Sequence, residues 1–219
     1  MAERSVVIWD GWVRLVHWAI AVLIVVSFTT ARLHWMDWHM RSGYAVLTLV
    51  LFRLAWGFVG SDTARFGRFL RSPVEAFRHL LHFRRREPDA EAGHNAAGGW
   101  MVLALLGLLA TQAVTGLFTY DQIFTYGPLA REVSEAWRDR LSSIHVANFN
   151  LILAAVVLHI LAVVAYRAVK GHRLVAAMVS GRKTLPAHVP APRIGSPWLA
   201  MPLLAASGAV VFWISRFGD

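Results

Sequence analysis

The chain has 219 residues, 57% of them hydrophobic and 16% charged, and 22 lysines and arginines against 13 acids leave it at +9. It has no cysteine, which excludes disulfides, Cys-bound zinc, Cys-ligated iron–sulfur clusters and covalently attached c-type haem. Several apolar runs reach the ~20 residues that a helix needs to cross a bilayer. The chain therefore reads as an integral membrane protein, and its charge as a bias of the loops rather than a nucleic-acid surface.

Five spans are predicted in chain order, all helical, because an isolated span must satisfy its backbone hydrogen bonds internally. The first covers 9–30 and carries Arg14 and His17. No A-x-A-like cleavage site follows it, so it is expected to be a retained span and not a signal peptide. The second covers 39–60, opening on His39 and holding Arg53 near its end. The third covers 97–118, the fourth 143–167 with His145 and His159, and the fifth 197–214. Between spans two and three, Ser72, Pro73 and Glu75 signal a helix start. Val74, Phe77, Leu80 and Leu81 share one face of the 72–83 helix that follows, which is expected to lie along the membrane interface. Residues 83–99 read as a polar turn region. The expected organisation is one transmembrane domain over 1–185, then a linker and the fifth helix over 186–219.

The loops set the expected orientation. Residues 61–96 carry Arg65, Arg68, Arg71, Arg78, Arg84, Arg85 and Arg86. Residues 167–196 carry Arg167, Lys170, Arg173, Arg182, Lys183 and Arg193 without an acid. The connector at 31–38 has only Arg32, and the one at 119–142 has three arginines against four acids. The basic connectors belong in the cytoplasm. That places the N-terminus in the cytoplasm and the C-terminus in the periplasm of a bacterial inner membrane.

Four histidines, His17, His39, His145 and His159, fall within or at the edge of spans, where ionisable side chains are costly and point to function. Fourteen residues separate His145 from His159. That is roughly 40° short of four turns, so both leave one helix face, about 21 Å apart along the axis. With the topology above, the depths pair His39 with His145 on the outer side and His17 with His159 on the inner side. Two pairs of imidazoles inside a helical bundle suit two large planar cofactors, each held between two axial nitrogens. Zinc or copper would want further ligands close by, and Asp10 is the one acid near these positions in the four spans. Haem propionates need cations. Arg14, one turn before His17, and Arg53, fourteen residues after His39, are candidates for the inner haem, and Arg41 and Ser42 for the outer one.

Taken together, the segments VIWDGWVRLVHW, HMRSGYAVLTLVLFRLAWGFVGSDTARF, GHNAAGGWMVLALLGLLATQAVTGLF, IHVANFNLILAAVVLHILAVVAYR and GHRLVAAMVSGRK resemble the prokaryotic cytochrome b561 family. That family includes the b-type cytochrome subunits of membrane-bound nickel–iron hydrogenases. The resemblance covers roughly residues 5–185. It implies an all-α membrane protein with a four-helix bundle holding two haems b, here with a fifth C-terminal helix. It implies iron ligands from helices one, two and four, which fall on His17, His39, His145 and His159. It also implies electron transfer between a periplasmic partner or reductant and the quinone pool.

The expected partners are membrane lipid, quinone, and a periplasmic cytochrome or dehydrogenase subunit. No nucleic acid is expected, and the oligomeric state is open. Gln112, Thr115, Asn148, Asn150, His94 and Tyr166 are the polar groups available as quinone contacts. A variant of the same function is a stand-alone oxidase of a small reductant such as superoxide, with quinone as acceptor. A reading of another class is a histidine-lined ion or metal transporter.

Overall fold

The computed structural model describes residues 2–84, 89–121 and 123–217. Strand β1, Glu3–Val7, precedes helix α1, Gly11–Arg32, and α2, Met36–Val59. Two short helices follow, α3 Phe66–Phe69 and α4 Pro73–Leu81, and then α5, Ala96–Gly116. Helix α6, Glu135–Ala165, passes into a single π-turn, Tyr166–Lys170. Helix α7, Leu174–Ser180, strand β2, Arg182–Pro186, and α8, Pro197–Ser215, complete the chain. The five long helices are each long and apolar enough to cross a membrane, and they coincide with the five predicted spans.

Their ends differ from prediction for local reasons. Helix α6 begins eight residues before the predicted 143, because hydropathy is blind to a polar turn such as EAWRDRLS that continues a helix beyond its apolar run. Only three residues join α1 to α2. His34 takes a left-handed φ of 58° there, while Trp35 N–H donates back to Thr30 O at 2.9 Å, a helix stop that glycine usually supplies. Helix α4 has the predicted start. The Ser72 side chain accepts from Glu75 N–H, and Val74, Phe77, Leu80 and Leu81 are all more than half exposed. The 83–99 turn region lies partly outside the described residues, and its end is already α5, where the Asn95 side chain caps Gly98 N–H at 2.7 Å. The two-stranded sheet is an addition to the all-α expectation. Glu3–Val7 pairs antiparallel with Arg182–Pro186, and the two strands lie about 180 residues apart in a chain whose other signals are all helical.

The chain forms two compact units. The first comprises Met1–Leu15, Leu54–Ala104 and Ala155–Ala200, and the second Val16–Arg53, Leu105–Ala154 and Met201–Asp219.

The first unit is organised around Asp10, which caps α1 and is 5% exposed. Its Oδ1 accepts Val13 N–H at 2.8 Å. Its Oδ2 accepts Trp56 Nε1–H at 3.1 Å and Ser61 Oγ–H at 2.5 Å. Ser61 Oγ in turn accepts Gly195 N–H at 2.8 Å. A buried carboxylate is tolerable only with its lone pairs filled in this way. The result ties the start of α1, the end of α2 and the segment leading to α8 to one side chain. Beside it, Gly57 lets the Phe66 ring approach so closely that a Cβ there would lie 2.1 Å from it.

In the second unit, Leu47 of α2, Leu117 and Val211 of α8 form a buried core, with Tyr44, Leu51, Ala113, Phe118, Leu129 and Ile214 packed around it. The C-terminal part of α8 is thus seated on α2 and the end of α5.

Candidate haem-binding site

His39 sits one turn into α2 and His145 in α6, both in the second unit, with ring centroids 6.2 Å apart and planes at 87°. Each ring is held from behind. His39 Nδ1 lies 2.9 Å from Ser27 O, and His145 Nδ1 lies 2.9 Å from Gln112 O. A carbonyl only accepts, so both Nδ1 atoms carry the proton and both Nε2 atoms keep a lone pair. That is the tautomer a metal ligand needs, fixed by the hydrogen bond on its other nitrogen.

The remaining contacts tighten this arrangement. Ser42 Oγ donates to His39 O at 2.8 Å and meets Ser27 Oγ at 2.6 Å. Thr115 Oγ1 lies 3.3 Å from His145 Nδ1. Asn148, one turn along α6 from His145 and buried, donates to Leu108 O at 2.9 Å and to Gln112 Oε1 at 2.8 Å. Gln112 Nε2 donates to His145 Nε2 at 3.1 Å. Gly116 completes the wall, since a Cβ there would come within 3.0 Å of His145 Cε1.

The pair fits a haem iron. Two imidazole nitrogens about 2 Å either side of one metal, with each ring centre ~1.1 Å behind its nitrogen, put the centroids roughly 6 Å apart. Among the described residues no group of three or more His, Asp or Glu side chains could hold a metal ion, so two imidazoles suit a metal that brings its other ligands in a ring. Gln112 contends for the same His145 nitrogen, and its flexible amide can turn aside.

The other predicted residues lie as follows. His17, in α1 of the second unit, is half-buried, with its ring edge-on to Trp18 at 4.9 Å. His159, in α6 of the first unit, is also half-buried. Arg53, near the end of α2, is 6% exposed. Arg14 is turned towards α7, where its guanidinium donates to Met178 O and Val179 O at the carbonyl end of that helix, a favourable place for a cation. Any propionate would compete with those two carbonyls for it. Arg41 packs on Trp38 at 5.4 Å. Of the polar residues considered for quinone, Gln112, Thr115 and Asn148 gather at His145, whereas Asn150 is exposed on α6. His94 stands between the Trp9 and Phe69 rings, 4.7 Å from each. Sequence reasoning missed Ser27, and no signal could have found it, because the group that acts is its main-chain carbonyl.

A family model for prokaryotic cytochrome b561 matches residues 8–181. The chain belongs to the prokaryotic cytochrome b561 family. No curated protein and no solved structure matches it. Members of this family are helical membrane proteins that carry electrons across the membrane on b-type haem, and the five apolar helices make this chain a multi-pass member. In a cytochrome b561, haem supplies one-electron redox chemistry, and the protein supplies ligands, burial and charge.

Proposed function

We propose that the chain is a di-haem b-type cytochrome of a bacterial inner membrane, moving electrons between a periplasmic redox partner or reductant and the quinone pool. The observation that carries the reading is the His39–His145 pair, with ring centres 6.2 Å apart and both Nδ1 atoms turned to carbonyls. A second haem on His17 and His159 rests on their register in the sequence. The N-terminus and the Arg-rich connectors face the cytoplasm in this reading, as the positive-inside bias supports. His39 and His145 then serve the periplasmic side. With both axial positions filled by imidazole, the iron passes electrons and does not bind oxygen.

The test is a reduced-minus-oxidised spectrum of the detergent-purified protein, with haem and protein quantified on the same sample. Two low-spin b haems per chain are expected. His39→Ala and His17→Ala should each remove one of them. A folded protein without haem refutes the function, and a single haem refutes one of the two pairs.

A further inference from the structure

The first unit holds a second group of titratable side chains. Tyr166 opens the π-turn at the end of α6, seven residues beyond His159. Seven residues fall about 20° short of two turns, so Tyr166 continues the His159 face, roughly 10 Å further along the axis. π-turns concentrate at functional positions. The Tyr166 side chain is buried, at 7% exposure, and its hydroxyl lies 2.6 Å from His79 Nε2 of α4. Rings enclose it: His79 stacked at 6.2 Å, His172 at 6.1 Å and Phe83 at 5.0 Å. Beyond it stands a charged ladder. His172 Nδ1 is 3.5 Å from Asp89, which takes Lys183 Nζ at 2.5 Å. Lys183 also donates to Glu91 O at 2.8 Å, and Arg167 to Gly171 O.

We propose that the His79–Tyr166 pair is a redox-linked proton acceptor, which binds one proton from the cytoplasm when an electron reaches the haem held by His159. The inference rests on the di-haem reading. The balance is one electron from the periplasmic reductant onto ferric iron and one proton from water onto His79, both released on reoxidation. Tyrosine suits the exchange because its hydroxyl both donates and accepts. It donates to neutral His79 and accepts from the imidazolium, so the 2.6 Å bond survives both states. One unit of charge at a separation equal to the axial step from His159 to Tyr166, about 10 Å, at an effective dielectric constant of about 20, raises proton affinity roughly tenfold. Asp89 and Glu91 favour the imidazolium. Lys183 and His172 oppose it, and Asp89 offsets Lys183 directly.

The experiment is optical redox titration of the haem-loaded full chain from about pH 6 to 9. A tenfold linkage moves a one-electron potential by about 59 mV. One haem potential should fall by about that much with rising pH. His79→Gln, which keeps a hydrogen-bonding side chain but does not titrate, should flatten it. Tyr166→Phe should displace the pH at which it bends. Uptake of protons on reduction of the unsubstituted protein, read with a pH dye in weak buffer, needs no variant and should peak at about half a proton per chain, the most that a tenfold change in affinity takes up.

A pH-independent potential, no proton uptake, or a slope that persists in His79→Gln, as one carried by haem propionates would, overturns the inference and leaves the di-haem reading standing. Fewer than two haems in the unsubstituted protein overturns the di-haem reading, and the inference falls with it.

Discussion

Substituting Gly116 by alanine separates a haem-site glycine from an ordinary helical one. In a helix, Gly→Ala normally stabilises by about 1 kcal/mol. At Gly116 the new Cβ would lie 3.0 Å from His145 Cε1 and 3.3 Å from Nδ1, against the ~3.5–4.0 Å of an unstrained contact. The imidazole must move by a few tenths of an ångström, stretching its 2.9 Å bond to Gln112 O and re-aiming Nε2. Overpacking of this kind costs about 1–3 kcal/mol. Less the helix gain, the net loss is up to about 2 kcal/mol, which at the ligand weakens haem binding by up to roughly 30-fold. The control is Gly107→Ala in the same helix, where nothing lies within 4 Å of the added carbon. The assay is haem titration of the haem-free protein, with a thermal melt of the same samples. Gly107→Ala should keep haem affinity and gain slightly in stability, while Gly116→Ala loses affinity for one haem. If Gly116→Ala behaves like Gly107→Ala, His145 is not a haem ligand held at this wall.

Three further outcomes are expected. Asp10→Asn turns an amide N–H towards the two donors Trp56 Nε1 and Ser61 Oγ and should destabilise the protein by about 2–4 kcal/mol in a denaturant melt; an unchanged midpoint would show that Asp10 does not clamp the first unit. His34→Gly should raise stability by up to about 1 kcal/mol and His34→Val lower it, because φ is 58° there; the reverse order in thermal melts would rule out a left-handed stop. Burial pushes the Asp121 carboxyl up, but the N–H groups of Ile123, Thr125 and Phe124 together hold it below its ordinary 3.8. A lowered folded-state value means the loop is stabilised above that pH and loses this support as pH falls through the lower value. Amide exchange at Ile123–Thr125 should therefore show extra opening only in strong acid, and Asp121→Asn should reduce the protection already at neutral pH.

Periodicity and the hydrocarbon thickness of a bilayer were enough to locate all five long helices, because a span must carry its own hydrogen bonds and its apolar length is written in composition. The α4 start was legible for the same local reason: Ser72, Pro73 and Glu75 act within one turn. The candidate ligands His39 and His145 were legible as costly residues in apolar surroundings. What holds them was not. Their tautomers are set by Ser27 O and Gln112 O, and every residue has a carbonyl, so sequence carries no mark of which one is used. Arg14 reads as a cation one turn from His17, but only the folded chain turns it onto the end of α7. The Asp10 clamp and the β1–β2 pairing join residues more than forty and about 180 positions apart. Contacts of that kind exist only once the helices have packed. The sequence by itself determined the helices, their membrane character and the chemistry they can hold, and tertiary structure decided which polar groups meet, because that depends on long-range packing that no local pattern records.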